Sequence, residues 1–163
     1  MSTQLKLTPT ESVEVRSATP DALEVEVTYG ASGKTPPKHF HPDQDEHFEV
    51  LAGTLRVRVD GEERTLATGE TIEIPRGAVH QMWNPTEEAT RALWRTSPAG
   101  RTEDWFRAID SCYPAGVLAF AVLLGEYRDV FRLAGPDFLL RPALGVLAVV
   151  GRARGYSATG AGS

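Results

Sequence analysis

The chain is poor in cysteine: Cys112 is the only one in 163 residues. A single cysteine excludes an intrachain disulfide and a thiolate metal cluster, and it fits a reducing compartment. Cys112 has no activating base nearby in sequence and is read as structural. Long hydrophobic runs are also missing. A membrane-spanning helix needs about 20 mostly apolar residues. The most apolar stretches, 117–124 and 138–150, are shorter, and the second carries Arg141 and Pro142. The N-terminal Met-Ser-Thr-Gln-Leu-Lys-Leu-Thr lacks the apolar core of a signal peptide. These absences lead to the expectation of a soluble, cytoplasmic protein with no membrane span. A basic excess is lacking as well. There are 17 Lys and Arg against 22 Asp and Glu, for a net charge of −5, so no nucleic-acid partner is expected.

What is present is enough apolar material (41%) to build one domain's core. Its pattern changes near residue 100. Before that point apolar and polar residues alternate with the period of two of half-buried strands. Segments 12–16, 23–28, 46–51, 55–59, 64–66, 71–74, 79–83 and 90–96 are predicted strands. Nearly all are separated by Gly, Pro, Asp or Asn, and Asp60-Gly61 is a strong hairpin signal. Many short, closely spaced strands imply a sandwich or barrel. After residue 100 the period becomes helical. Helices are expected over 103–110, with Thr102 as N-cap, over 117–131, and over 137–152 with a break or kink near Pro142 and Gly145. The predicted division is a β-barrel domain over 1–97, a helical extension over 98–155 and a disordered tail over 156–163. The extension is expected to pack on the barrel or on a partner subunit, which makes a homodimer the expected assembly.

Two segments carry the chemistry. In 33–41, His39 and His41 are two residues apart in an extended chain and so share a face. Glu46 follows across a Pro-Asp-Gln-Asp turn and opens the next strand, which brings a carboxylate alongside the two imidazoles. In the second segment Ile72 and Ile74 form a buried strand face, Pro75–Gly77 makes a turn, and His80 starts a further strand with Met82 and Asn84 on its own face. A nitrogen and oxygen donor set of this kind suits Fe, Mn, Ni, Cu or Zn better than Ca.

These segments resemble the two motifs of the cupin family. The first runs Gly, five residues, His-x-His, three or four residues, Glu, six residues, Gly, and Gly33, His39, His41, Glu46 and Gly53 fit it. The second runs Gly, five residues, Pro-x-Gly, two residues, His, three residues, Asn, and Gly69, Pro75, Gly77, His80 and Asn84 fit it. At average composition the five Gly and Pro positions alone would match by chance with a probability on the order of 10⁻⁶. The resemblance implies an all-β core, a jelly-roll-like barrel with the C-terminal helical extension added. It also implies one divalent transition metal held by His39, His41, Glu46 and His80. Four protein ligands on a metal accepting five or six leave an open position. Three neutral imidazoles and one carboxylate leave the site near +1, able to hold an enolate or a carboxylate.

The remaining candidates follow from strand parity. His47 adjoins Glu46 and so faces away from the site, as does Glu49. Glu73 opposes Ile72 and Ile74, and Arg56 and Arg58 face outward. Phe48, Val50, Met82 and Trp94 are the expected pocket walls, Met82 first because it shares the face of His80. Gly53, Gly69 and Gly77 are expected to permit turns or positive φ, and Asn84 to bond within a turn before Pro85.

Two functions remain open. One is a metal-dependent enzyme acting on a small, hydrophobic or aromatic, oxygen-bearing substrate. Its chemistry would be dioxygenase-like or an enolate-type isomerisation, cyclisation or decarboxylation, with Glu46 available as a general base. The other is a non-catalytic sensor or small-molecule-binding module with a structural metal.

Overall fold

A computed structural model describes residues 4–31, 34–114 and 116–158. Gly33 of the first motif and the last five residues of the predicted tail lie outside the described residues. The alternating segments form strands in the order β1 (Gln4–Thr8), β2 (Glu11–Ala18), β3 (Leu23–Tyr29), β4 (His39–Phe40), β5 (Asp45–Ala52), β6 (Thr54–Val59), β7 (Glu62–Ala67), β8 (Thr71–Ile74), β9 (His80–Trp83) and β10 (Thr90–Ser97). Helices α1 (Thr102–Ser111), α2 (Val117–Glu126) and α3 (Asp137–Ala153) follow, with a short strand β11 (Arg132–Leu133) between the last two.

The strands form two antiparallel sheets, one ordered β1-β2-β3-β10-β5-β8 and the other β11-β4-β9-β6-β7. Their alternation produces the core. On β3, Leu23, Val25, Val27 and Tyr29 are buried while the residues between them are partly exposed. On β10, Ala92 and Trp94 face in and Arg91 and Arg95 face out. The β6–β7 hairpin turns through Asp60 (φ 47°) and Gly61 (φ 93°), both left-handed as a two-residue primed turn requires. Gly53, Gly69 and Gly77 also have positive φ. Gly53 is constrained twice, because a Cβ there would lie 2.7 Å from Thr90 Oγ1.

The region after residue 97 departs from the sequence reading in three places. Thr102 is not the N-cap but the first helical residue. Arg101 precedes it, no side chain caps the helix, and the buried Thr102 hydroxyl accepts from Gln44 Nε2 at 3.1 Å. The second helix ends at Glu126, not 131, because residues 132–133 pair with β4 and pull the chain out of the helix. The third helix runs unbroken through Pro142 and Gly145. The extension closes over one end of the barrel. Trp105, Phe106 and Ile109 of α1 join the barrel core, and Asp110 Oδ1 accepts from the Lys6 backbone N–H at 2.8 Å. Helix α3 packs on α2, where a Cβ on Gly151 would meet Leu118 O and Val122 Cγ2 at 2.9 Å. Its other face leaves Phe138, Leu139, Val146 and Val149 exposed. Ala158 packs against the core and Cys112 is half-buried. Among the described residues no helix is long and apolar enough to cross a membrane.

Candidate metal centre

The four expected ligands converge between the two sheets. His39 and His80 are cross-strand partners on β4 and β9. Glu46 stands opposite on β5, between Ile74 of β8 and Thr96 of β10. His41 follows β4, and its backbone carbonyl accepts from the Gly77 N–H at 2.8 Å, so the turn of the second motif is tied to the first. One ligand nitrogen from each of His39, His41 and His80 lies within 4.8 Å of the other two. Glu46 Oε1 is 3.3 Å from His41 Nε2, and Oε2 is 3.1 Å from His80 Nε2. His41, Glu46 and His80 are buried and His39 is half-buried.

The hydrogen bonds fix what these atoms can do. Each Nδ1 faces a backbone carbonyl: Pro37 for His39 at 3.1 Å, Val130 for His41 at 2.6 Å and Ala78 for His80 at 3.0 Å. A carbonyl only accepts, so in the neutral rings Nδ1 carries the hydrogen and Nε2 presents a lone pair to the cluster. The close approaches of His41 and His80 Nε2 to Glu46 are then contacts between acceptors. His41 Nε2 and Glu46 Oε2 are buried without a hydrogen-bond partner. These buried lone pairs converge, and a dication with nitrogen and oxygen ligands fits that donor set.

Burial and neighbouring charge act differently on the three rings. Burial pushes His39 down to about 3, helped by the neighbouring His80 and His41. Burial also lowers His41. At Glu46 burial acts upward, but the adjacent His41 and His80 outweigh it and hold the carboxyl well below its usual range. Burial acts downward on His80, and the Glu46 carboxylate beside it reverses the direction.

The cluster opens into a cavity of about 170 Å³. A 150 Å³ apolar cavity is known to accept benzene, so this one has room for about one ring. Of the expected pocket walls, Phe48, Met82 and Trp94 line it. Val50 does not line it and is packed in the core. Trp94 does more than fill space. Its ring stacks on Phe48 at 5.2 Å, and its Nε1–H donates to Glu46 Oε1 at 2.9 Å. His47 faces away, paired with Glu73. Asn84 holds its turn as expected, accepting from the Thr86 N–H and donating to Glu88 O.

Strand parity could not reveal the contribution of the extension. Trp105, Phe106, Ile109, Phe120, Phe131 and Leu133 form one wall of the cavity. Phe131 stacks on His39 at 4.6 Å and Trp105 stacks on Phe131 at 5.3 Å. The extension also supplies the Val130 carbonyl that orients His41. The available signal was the apolar spacing of Trp105, Phe106 and Ile109 on one helix face. Glu11, which also lines the cavity, shares the strand parity of the inward Val13.

Residues 25–95 match the family model of the cupin domain. The chain is 34% identical over 68 residues to the tetracenomycin polyketide synthase protein TcmJ of Streptomyces glaucescens, covering 42% of this chain and 46% of that one. It is 36% identical over 63 residues to the quercetin 2,3-dioxygenase of Bacillus subtilis, covering 39% of this chain and 19% of that one. The matched segment thus spans less than half the length of either relative. Among solved structures, KdgF from Halomonas sp. superposes with a TM-score of 0.57 at 23% identity, covering 62% of this chain and 90% of that one. Motifs, barrel and likenesses agree on residues 25–95, which match the cupin domain and share the cupin fold, and a C-terminal helical extension follows them.

Proposed function

We propose that this protein is a metal-dependent enzyme acting on a small, apolar or aromatic substrate that bears oxygen. The observation that carries the reading is the convergence of three oriented Nε2 lone pairs and the Glu46 carboxylate at the inner end of a ring-sized cavity. His39, His41, His80 and Glu46 would hold the ion. When bound, it would polarise a substrate oxygen as a Lewis acid and, in a redox-active form, give access to dioxygen chemistry.

The chain's own groups do the rest. Three backbone carbonyls fix the Nδ1–H tautomer and aim the Nε2 atoms, while burial favours the neutral rings of His39 and His41. Trp94 holds Glu46 Oε1, leaving Oε2 to ligate or, if released, to accept a substrate proton. Phe48, Phe106, Phe120 and Phe131 exclude water and favour a ring. The likeness to a quercetin dioxygenase supports oxygenase-type chemistry, and that to a polyketide synthase protein supports a carbonyl-bearing substrate. The exposed apolar face of α3 supports a homodimer, and the single cysteine supports a cytoplasmic setting.

The test screens small phenols and enolisable aromatic ketones for oxygen uptake or product formation, with wild type and His80→Ala in parallel. Turnover that needs both metal and His80 is expected. Turnover by metal-free protein overturns the reading. Stoichiometric metal with no turnover across the panel favours a binding or sensor module.

A further inference from the structure

Glu11 is the acidic group of this cavity that the metal centre does not use. It opens β2 and pairs in register with Tyr29 of β3. Two cavities meet at this point. The inner one holds the histidine cluster, and an outer groove of about 590 Å³ is rimmed by Thr10, Lys34 and Asn84. Thr8, Glu11, Tyr29, Pro36, Pro37 and Met82 line both, so they form the neck between them.

The neck leaves Glu11 without a partner among the described residues. The Tyr29 hydroxyl is directed to Met82 Sδ at 3.9 Å. Lys6 of β1 lies over the Tyr113 ring at 5.4 Å, and Asp110 of α1 is engaged by the Lys6 backbone. Lys34 stands on the rim of the outer groove, and Glu46 and the three histidines lie within the inner cavity. Burial alone acts on the Glu11 carboxyl and raises it to about 7. Its charge in turn acts upward on Tyr29, after the larger effect of burial. Glu11 is half-buried at the neck, so its carboxyl is without a protein partner yet within reach of a ligand that enters the cavity. A ligand oxygen at the neck would be its hydrogen-bond partner.

We propose that Glu11 is a hydrogen-bonding anchor at the neck of the cavity, donating its carboxyl proton to a carbonyl or hydroxyl oxygen of a ring-sized aromatic ligand. This deepens the functional reading above and rests on it for the identity of the ligand as substrate. It adds that the substrate carries an oxygen on the end turned away from the histidines. Glu11 selects and orients; no bond is made or broken at it.

The test uses acetophenone and its oxygen-free counterpart ethylbenzene as probes, with binding to the full metal-free chain measured by calorimetry at pH 6 and pH 8.5. Wild type, Glu11→Gln and Glu11→Met are compared. At pH 6 wild type should bind acetophenone about three- to tenfold more tightly than Glu11→Met, the range of one neutral hydrogen bond. Ethylbenzene should not distinguish them. The wild-type advantage should vanish at pH 8.5, where the carboxylate has no proton to give. Glu11→Gln, whose amide donates at any pH, should keep it at both. Absence of wild-type binding, or equal acetophenone affinity in wild type and Glu11→Met at pH 6, overturns the proposal. So does a pH dependence that Glu11→Gln shares in full. Metal content is read on the same preparations and should be unchanged by either substitution. A chain that binds the probes as expected but takes up no metal sinks the metalloenzyme and leaves the anchor standing; the opposite pattern does the reverse.

Discussion

Replacing Trp94 by phenylalanine removes a hydrogen-bond donor while keeping a ring against Phe48. The lost bond, Nε1–H to Glu46 Oε1 at 2.9 Å, is made to a buried carboxyl that sits well below its usual range beside His41 and His80. A hydrogen bond to a charged group contributes about 1.5–3 kcal/mol. At this chain length each kcal/mol moves Tm by about 2–4 °C, so the bond corresponds to roughly 3–12 °C. The smaller ring also vacates volume, which costs stability by itself. Trp105→Phe provides the control. Trp105 is buried and lines the same cavity, and among the described residues its indole nitrogen has no hydrogen-bond partner. The difference in Tm between the two variants, measured by calorimetry without metal, isolates the bond. Metal affinity, measured by competition with a chelator, should fall about 10- to 100-fold in Trp94→Phe, the usual effect of losing a partner of a ligand. Equal Tm values and equal metal affinities in the two variants would refute the view that Trp94 positions Glu46.

Phe106 is almost fully buried against Trp94, so Phe106→Ala should cost about 3–5 kcal/mol and lower Tm by roughly 10 °C in a thermal melt. His39 gives a pH dependence. Its folded pKa is about 3 and its ordinary value is 6.5, so between these the unfolded chain binds a proton that the folded chain does not. Metal-free wild type should therefore lose stability relative to His39→Gln as pH falls from 6.5 toward 3, with the full contribution present above 6.5. A flat difference in urea midpoints across that window would contradict the burial argument. On α3, Val146 and Val149 are both about 65% exposed. The proposed homodimer should sediment as a dimer in wild type and as a monomer in Val149→Glu, with metal content unchanged; a monomeric wild type would contradict it.

Much of the barrel was legible because its strands bury one face. Residues 71–74 were legible from alternation between Gly69 and Pro75, and Asp60-Gly61 declared its hairpin. The convergence of the four candidate ligands was legible for a different reason: backbone turns at Gly53 and Pro75–Gly77 fix their spacing, so chain positions encode a point in space. What stayed hidden depends on contacts between distant segments. Residues 127–131 read as helix because their local apolar pattern continues α2. They leave the helix because the chain is committed to pairing β11 with β4. The same commitment delivers the Val130 carbonyl to His41 and Phe131 to His39, contacts that no periodicity displays. Val50 shows the converse limit. Parity placed it inside the barrel, but an interior position can face the core as well as the cavity.

The central claim is that three imidazoles and Glu46 are arranged to hold one divalent transition metal. Elemental analysis of the purified chain tests it most directly, before and after loading with Fe, Mn, Ni, Cu or Zn. Wild type, His41→Ala and His80→Ala should be compared after verifying their fold by circular dichroism. Wild type should retain about one ion per chain after extensive dialysis, and both variants should retain almost none. A folded wild type that holds no stoichiometric metal under any of these loadings would contradict the account, as would variants that hold it undiminished.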